Sequence, residues 1–114
     1  MHDTDASRLR ATATELKATA HRTYGELLVD PAVELVVVAS YNGFHVEQAA
    51  MALAAGKHVL CDKPVGLTAA DVERLIAAAA AAGKVFAPFQ QRRYQADFQK
   101  VREVITSGIL GRIH

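Results

Sequence analysis

An α/β fold built on a parallel sheet is predicted by three features of this 114-residue chain. Short apolar runs alternate with segments of helical periodicity long enough to serve as crossovers between parallel strands. The first strong run, Glu34 to Ala39, carries three successive valines without polar alternation, the pattern of a strand covered on both faces. Glycine or proline punctuates the junctions, at Pro31, Gly43, Gly56, Pro64, Gly83 and Gly108.

Taken in order, residues 5–18 place Leu9, Ala13, Leu16 and Ala20 at helical spacing, with Arg8, Arg10, Glu15 and Lys17 opposite. Asp3 and Asp5 precede this helix, and either can cap or complement its amino terminus. Residues 20–24 have room for a short strand, and Gly25 to Leu28 for one helical turn that stops near Asp30-Pro31. After the strand at 34–39, Ser40-Tyr41-Asn42-Gly43 is loop chemistry. A helix over 44–55 follows, with Val46, Ala49, Ala50 and Leu53 on its inner face and Gly56 at its end.

The stretch Gly56 to Pro64 organises the rest. Residues 58–61 cross the sheet, Asp62 and Lys63 emerge as a charged pair, and Pro64 ends the ladder because it has no N–H. Thr68 and Asp71 form a capping box with Asp in place of the usual Glu or Gln. The helix 69–82 then presents Val72, Leu75, Ile76 and Ala79 to the sheet, and its alanine tail allows close packing. A strand over 84–89 and a helix over 94–107, burying Phe98, Val101, Val104 and Ile105, complete the pattern. The three strands are expected as parallel neighbours, with their following loops on one edge: Ser40 to His45, Asp62 to Pro64, and Gln90 to Arg93.

Composition bounds the function. Apolar residues make up 51% and charged residues 22%, which argues for a packed segment, and the length suffices for one core. A formal net charge of +1 gives no electrostatic reason to expect nucleic acid or an anionic membrane, and no apolar run is long enough to span a bilayer. The amino terminus has no basic and apolar leader pattern, so a cytoplasmic chain is expected. One cysteine, Cys61, excludes an internal disulfide and a CxxC metal site, and its place in an apolar strand reads as an inert thiol. The five histidines show neither HExxH nor close pairing, and no GxSxG elbow is present.

Each loop has a plain structural reading. Ser40 and Asn42 are ordinary cap and turn residues, His45 suits a surface position in a first helical turn, and Arg92-Arg93 suits a solvated face. Convergence raises the functional one. Ser40, Asn42, His45 and Gln91 can hydrogen-bond an amide or a ribose, and they would face the Lys63 ammonium at the carboxyl edge of the sheet, where open α/β sheets bind ligands.

In order along the chain stand Asp30-Pro31, Asn42 and His45, Ala54-Ala55-Gly56-Lys57-His58-Val59, Lys63-Pro64, and Gln90-Gln91-Arg92-Arg93. This set resembles the amino-terminal domain of the glucose-fructose oxidoreductase and inositol dehydrogenase (Gfo/Idh/MocA) family over Asp30 to Arg112. Departures are Asp62 for the glutamate of the family's Glu-Lys-Pro motif, Tyr41 for a proline and Gln91 for an asparagine. The resemblance implies an NAD or NADP cofactor and a sugar, polyol or related hydroxyl substrate, with Lys63 beside the nicotinamide as the catalytic residue. It implies cofactor contacts from Asp3, Ser40, Asn42, His45, Asp62, Lys63, Pro64, Gln91 and Arg92. Asp3 matches the acidic residue that meets the adenosine ribose, while the nearby Arg8 can approach a 2′-phosphate. Asp62 would bias Lys63 toward its charged form.

The resemblance also implies an incomplete Rossmann-type sheet with flanking helices. The first strands and the glycine-rich loop that holds the pyrophosphate are not in this sequence. Residues 1–109 would form a partial dinucleotide-binding domain, and 110–114 the start of a missing substrate-binding domain. An unpaired apolar edge at Val36-Val37-Val38 then favours self-association or a homo-oligomer. Two functions follow. One is a fragment of an oxidoreductase, inactive in isolation; the other is a truncated, non-enzymatic relative that binds a nucleotide or a protein weakly.

Overall fold

The computed structural model describes residues 1–113, and its first helix begins where a carboxylate can cap it. Asp5 accepts from the backbone N–H groups of Ser7 and Arg8, starting α1 (Ala6–Glu15), which buries Leu9 and Ala13. Thr23 and Glu26 exchange hydrogen bonds in a capping box that opens α2 (Tyr24–Val29), and Asp30 ends it. Three βα units follow: β1 (Leu35–Val38) with α3 (His45–Ala54), β2 (His58–Cys61) with α4 (Ala69–Ala82), and β3 (Phe86–Pro88) with α5 (Ala96–Thr106).

The strands form one parallel sheet in the order β1-β2-β3. The register aligns Val38 with Cys61 and Cys61 with Pro88, so all three strands end at one level. The parallel order, the crossover helices and the Thr68–Asp71 capping box are as the sequence predicts. Gly83 ends α4 with a φ of 62°, a left-handed conformation that suits glycine.

One layer of helix covers the sheet. Val36 and Val38 of β1 and Val59 and Cys61 of β2 meet Ala49, Ala52 and Leu53 of α3 and Leu75 and Ala79 of α4, with Leu28 of α2 at the margin. Leu53 and Leu75 are wholly buried, each worth about 1.5–3 kcal/mol of hydrophobic stabilisation. Small alanines at the α3–α4 contact let the two helices approach closely.

Four expectations are corrected. Residues 20–24 form no strand, because Thr23 is taken as the cap of α2 and only one position of ladder geometry survives beside them. There the Met1 ammonium donates to the Thr19 carbonyl at 2.7 Å and the His21 N–H donates to the Met1 carbonyl at 2.8 Å, the bonding of a parallel bridge. The valine strand is covered on one face only: Val36 and Val38 are buried while Leu35 and Val37 are 52% and 60% exposed. Ile76, one residue past Leu75 and therefore about 100° round the helix, is exposed on α4. Finally, α5 buries no residue: Phe98, Val101 and Ile105 are all exposed and Val104 is half-buried.

Candidate active site

Strands that end in register deliver their loops side by side. The Asp62 N–H donates to the Val38 carbonyl at 2.8 Å, and the Phe89 N–H donates to the Cys61 carbonyl at 2.8 Å. The ladder therefore continues to the mouths of all three loops, at the carboxyl edge where α/β sheets present ligand sites.

The loop after β1 is held by its own polar groups. Ser40 Oγ donates to Gln48 Oε1 at 2.6 Å, and the turn Asn42–Phe44 leads into α3. Tyr24 ties α2 to the same helix by donating its hydroxyl to the Gln48 carbonyl at 2.8 Å, and burial pushes that phenol up to about 12. Asn42 is exposed, with its amide directed to no partner among the described residues.

His45 is only 1% exposed. Its Nδ1 lies 2.8 Å from the Pro64 carbonyl oxygen and its Nε2 lies 2.9 Å from that of Ser40. The ring thus spans the first two loops from beneath and presents no free nitrogen at the rim.

Asp62 and Lys63 are neighbours without being an ion pair. The carboxylate Oδ1 accepts from the Lys63 backbone N–H at 2.7 Å, and among the described residues the Lys63 ammonium makes no salt bridge. Lys63 and Pro64 are exposed, and the peptide bond between them is cis. Behind them the chain passes so close to α4 that a Cβ on Gly66 would stand 2.7 Å from the Asp71 Cβ. The Asp71 carboxylate fixes this return by accepting from the Leu67 and Thr68 N–H groups at 3.1 and 3.0 Å. Those bonds, with that of the Thr68 hydroxyl first among them, hold the carboxyl below its ordinary range.

The third loop, Gln90 and the turn Gln91–Tyr94, puts Gln91 and Arg92 in the open. Ahead of α1, Asp3 accepts from Arg8 Nε at 2.7 Å and Nη2 at 3.1 Å, a bidentate pair, and from the Asp5 N–H at 2.8 Å. Arg8, then Asp5, hold the Asp3 carboxyl below its ordinary range.

Two shallow hollows, both open to solvent, lie elsewhere. One of about 310 Å³ is lined by residues at the amino ends of the strands, including Glu34, Lys57 and Lys84, and another of about 500 Å³ lies between α3 and α4. The carboxyl-edge rim is an open shelf carrying a free ammonium, two carboxamides and a guanidinium, suited to a polar, anionic ligand rather than an apolar one. No group of three or more metal-ligating side chains exists among the described residues, and no helix there is long and apolar enough to cross a membrane. Cys61 is buried, and burial pushes its thiol up, which fits a packing role. Gln48, Gly66 and Asp71 escape the sequence reading as site-shaping residues. The signal for Gly66 is a glycine lodged between the Pro64 turn and the Thr68 cap.

Residues 1–90 match the model of an oxidoreductase family with an NAD-binding Rossmann fold, GFO_IDH_MocA. The chain is 40% identical over 113 residues to the 1,5-anhydro-D-fructose reductase of Ensifer adhaerens, covering 98% of itself and 34% of that protein. It is 34% identical over 113 residues to the myo-inositol 2-dehydrogenase of Thermotoga maritima, covering 98% of itself and 34% of the relative. Among solved structures, the WlbA dehydrogenase of Bordetella pertussis in complex with NADH and UDP-GlcNAcA superposes with a TM-score of 0.92 at 29% identity, over 99% of this chain and 33% of that one. The chain therefore spans about a third of the length of these relatives.

Proposed function

The chain belongs to the Gfo/Idh/MocA family of oxidoreductases with an NAD-binding Rossmann fold, and from that premise we propose that it is the nicotinamide-side portion of an NAD(P)-dependent enzyme acting on a sugar, polyol or related hydroxyl compound. The observation that carries the reading is Lys63. It stands exposed at the carboxyl end of the middle strand, between two loops rich in hydrogen-bonding groups, with the neighbouring carboxylate occupied by backbone.

The residues present fit part of a dinucleotide. Asp3 and Arg8 offer a carboxylate and a guanidinium for the adenosine ribose or its 2′-phosphate, and Asn42, Gln91 and Arg92 offer donors toward a carboxamide or phosphate. No glycine-rich turn for the pyrophosphate occurs in the sequence. When bound, the nicotinamide supplies the hydride acceptor or donor. Lys63 would orient the substrate oxygen, its ammonium giving a proton to that oxygen when a carbonyl is reduced and its neutral amine taking the hydroxyl proton when an alcohol is oxidised. The bonds to Asp62 and His45 would keep the Lys63 backbone in place during that exchange. The relatives' names, a reductase of an anhydro sugar and a dehydrogenase of an inositol, support hydroxyl and carbonyl chemistry on carbohydrates and cyclitols.

A second reading is a non-enzymatic relative that binds a nucleotide or a protein weakly, favoured by the open form of the shelf, where the Lys63 ammonium makes no salt bridge among the described residues. NMR titration of the chain with NADH and with NADPH separates the two. Weak binding, with shifts confined to the amides of residues 3–8, 40–45, 62–66 and 90–92 and reduced by Lys63→Ala, is the expected result. Shifts spread over α4 or α5, or none at roughly millimolar cofactor, the weak end of the affinity scale, would overturn the oxidoreductase assignment of this crevice. Turnover of a sugar or polyol panel by the isolated chain is not expected.

A further inference from the structure

We propose that His45 is a positioning residue for Lys63, a buried imidazole that locks the Pro64 turn to the loop after β1; this rests on the reading of Lys63 as the reactive lysine. Both atoms facing the ring nitrogens are backbone carbonyl oxygens, at 2.8 and 2.9 Å, and a carbonyl oxygen only accepts. The ring therefore stands between the two loops with one nitrogen against each, and its N–H can donate to either carbonyl.

The surroundings offer no other source of the geometry. His45 is 1% exposed, so water does not serve either nitrogen, and among the described residues it makes no ion pair. The charged groups on the adjoining elements are already engaged, save for Lys63. Glu47 of α3 pairs with Arg74 of α4 at 2.7 Å, Asp62 accepts from the Lys63 backbone, and Asp71 accepts from the turn before α4. The exposed Tyr41 phenol lies in the loop after β1. His45 is also the first residue of α3, so the ring joins that helix to both loops.

The consequence for Lys63 is mechanical. Its carboxyl side is anchored through Pro64 O, and its amino side through Asp62 Oδ1. The ammonium is thus the free end of a segment fixed at both flanks.

Amide hydrogen exchange tests the proposal. In His45→Ala, which removes both ring contacts, exchange of the Lys63, Val65 and Asn42 amides is expected to quicken roughly tenfold, the equivalent of one net hydrogen bond, and in His45→Gln, whose side-chain amide can still donate to one of the two oxygens, part of that protection is expected to return. The Val59 and Leu60 amides should stay protected. Loop amides indifferent to both substitutions, or quickened exchange that spreads equally to Val59 and Leu60, overturn the proposal. Loosened loops with unchanged NADH shifts support the lock and count instead against Lys63 as the cofactor-side lysine.

Discussion

The helices that follow β2 and β3 are alike in sequence pattern and unlike in what they touch. Both α4 and α5 carry an apolar stripe at helical spacing. Yet α4 has a reciprocal cap at its start, a left-handed glycine at its end, and Leu75 and Ala79 buried, whereas α5 has no side-chain cap bond and buries nothing. Connectivity makes the difference. Returning the chain from β2 to β3 forces α4 across the sheet, while no strand follows α5 among the described residues to draw it back. An amphipathic pattern specifies a face that can be buried; the chain path decides whether it is.

The overall dimensions record the same contrast. The radius of gyration is 17.8 Å, against roughly 13 Å for a compact chain of this length. The accessible surface is 8262 Å², against roughly 6,100 Å² for a compact monomer of this mass. The apolar side chains left open on α5 and on the outer face of β1 belong to that excess.

The largest test of the contrast is truncation on each stripe. Leu75→Ala is expected to lower stability by about 2–5 kcal/mol in urea unfolding, whereas Phe98→Ala should stay within about 0.5 kcal/mol. Equal losses would show that the α5 stripe is covered in solution. Next in size are the caps. Thr68→Ala should remove about 1 kcal/mol. Gln95→Asp should add on the order of 0.5 kcal/mol to α5 by supplying the missing acceptor, read as slower amide exchange along that helix alone.

The smallest effect is in acid. Asp71 is held below its ordinary range by the Thr68 hydroxyl and neighbouring amides, and Asp5, bonded chiefly by the Ser7 hydroxyl, is lowered from 3.8 to about 2. A carboxyl lowered by folding binds its proton more readily when unfolded. Its contribution is therefore complete above the unfolded value and fades as pH falls, for Asp5 between about 4 and 2. Corrected for intrinsic exchange, protection of the Ser7 and Thr68 amides should decline over the acid range. That of Gln99, which bonds the Gln95 carbonyl, should not follow it.

What was legible in the sequence is what depends on near neighbours. Thr68 and Asp71 stand three residues apart, and Gly83 follows an unbroken helical run, so both ends of α4 could be read locally. The strand order followed from the crossover lengths and the carboxyl-edge loops from the strand order. His45 could not be read this way, since its burial depends on a carbonyl 19 residues further on. The stripe on α5 misled because periodicity carries no information about a partner. Ile76 misled because it adjoins a buried residue at the rim of the apolar arc. The Met1 bridge is one residue wide, too narrow to leave a pattern.

The close approach at Gly66 limits which sequences can carry this site. Any other residue there would place its Cβ against the Cβ of Asp71 and within 3.3 Å of Val46 Cγ2. Because every residue except glycine has a Cβ, shortening the side chain at 71 does not make room, and a glycine there would give up the reciprocal cap. The exposed Leu67 beside it is under no such restriction. Variation in the return from Lys63 to α4 is therefore channelled into its exposed positions, while position 66 admits a single residue as long as the backbone keeps this path.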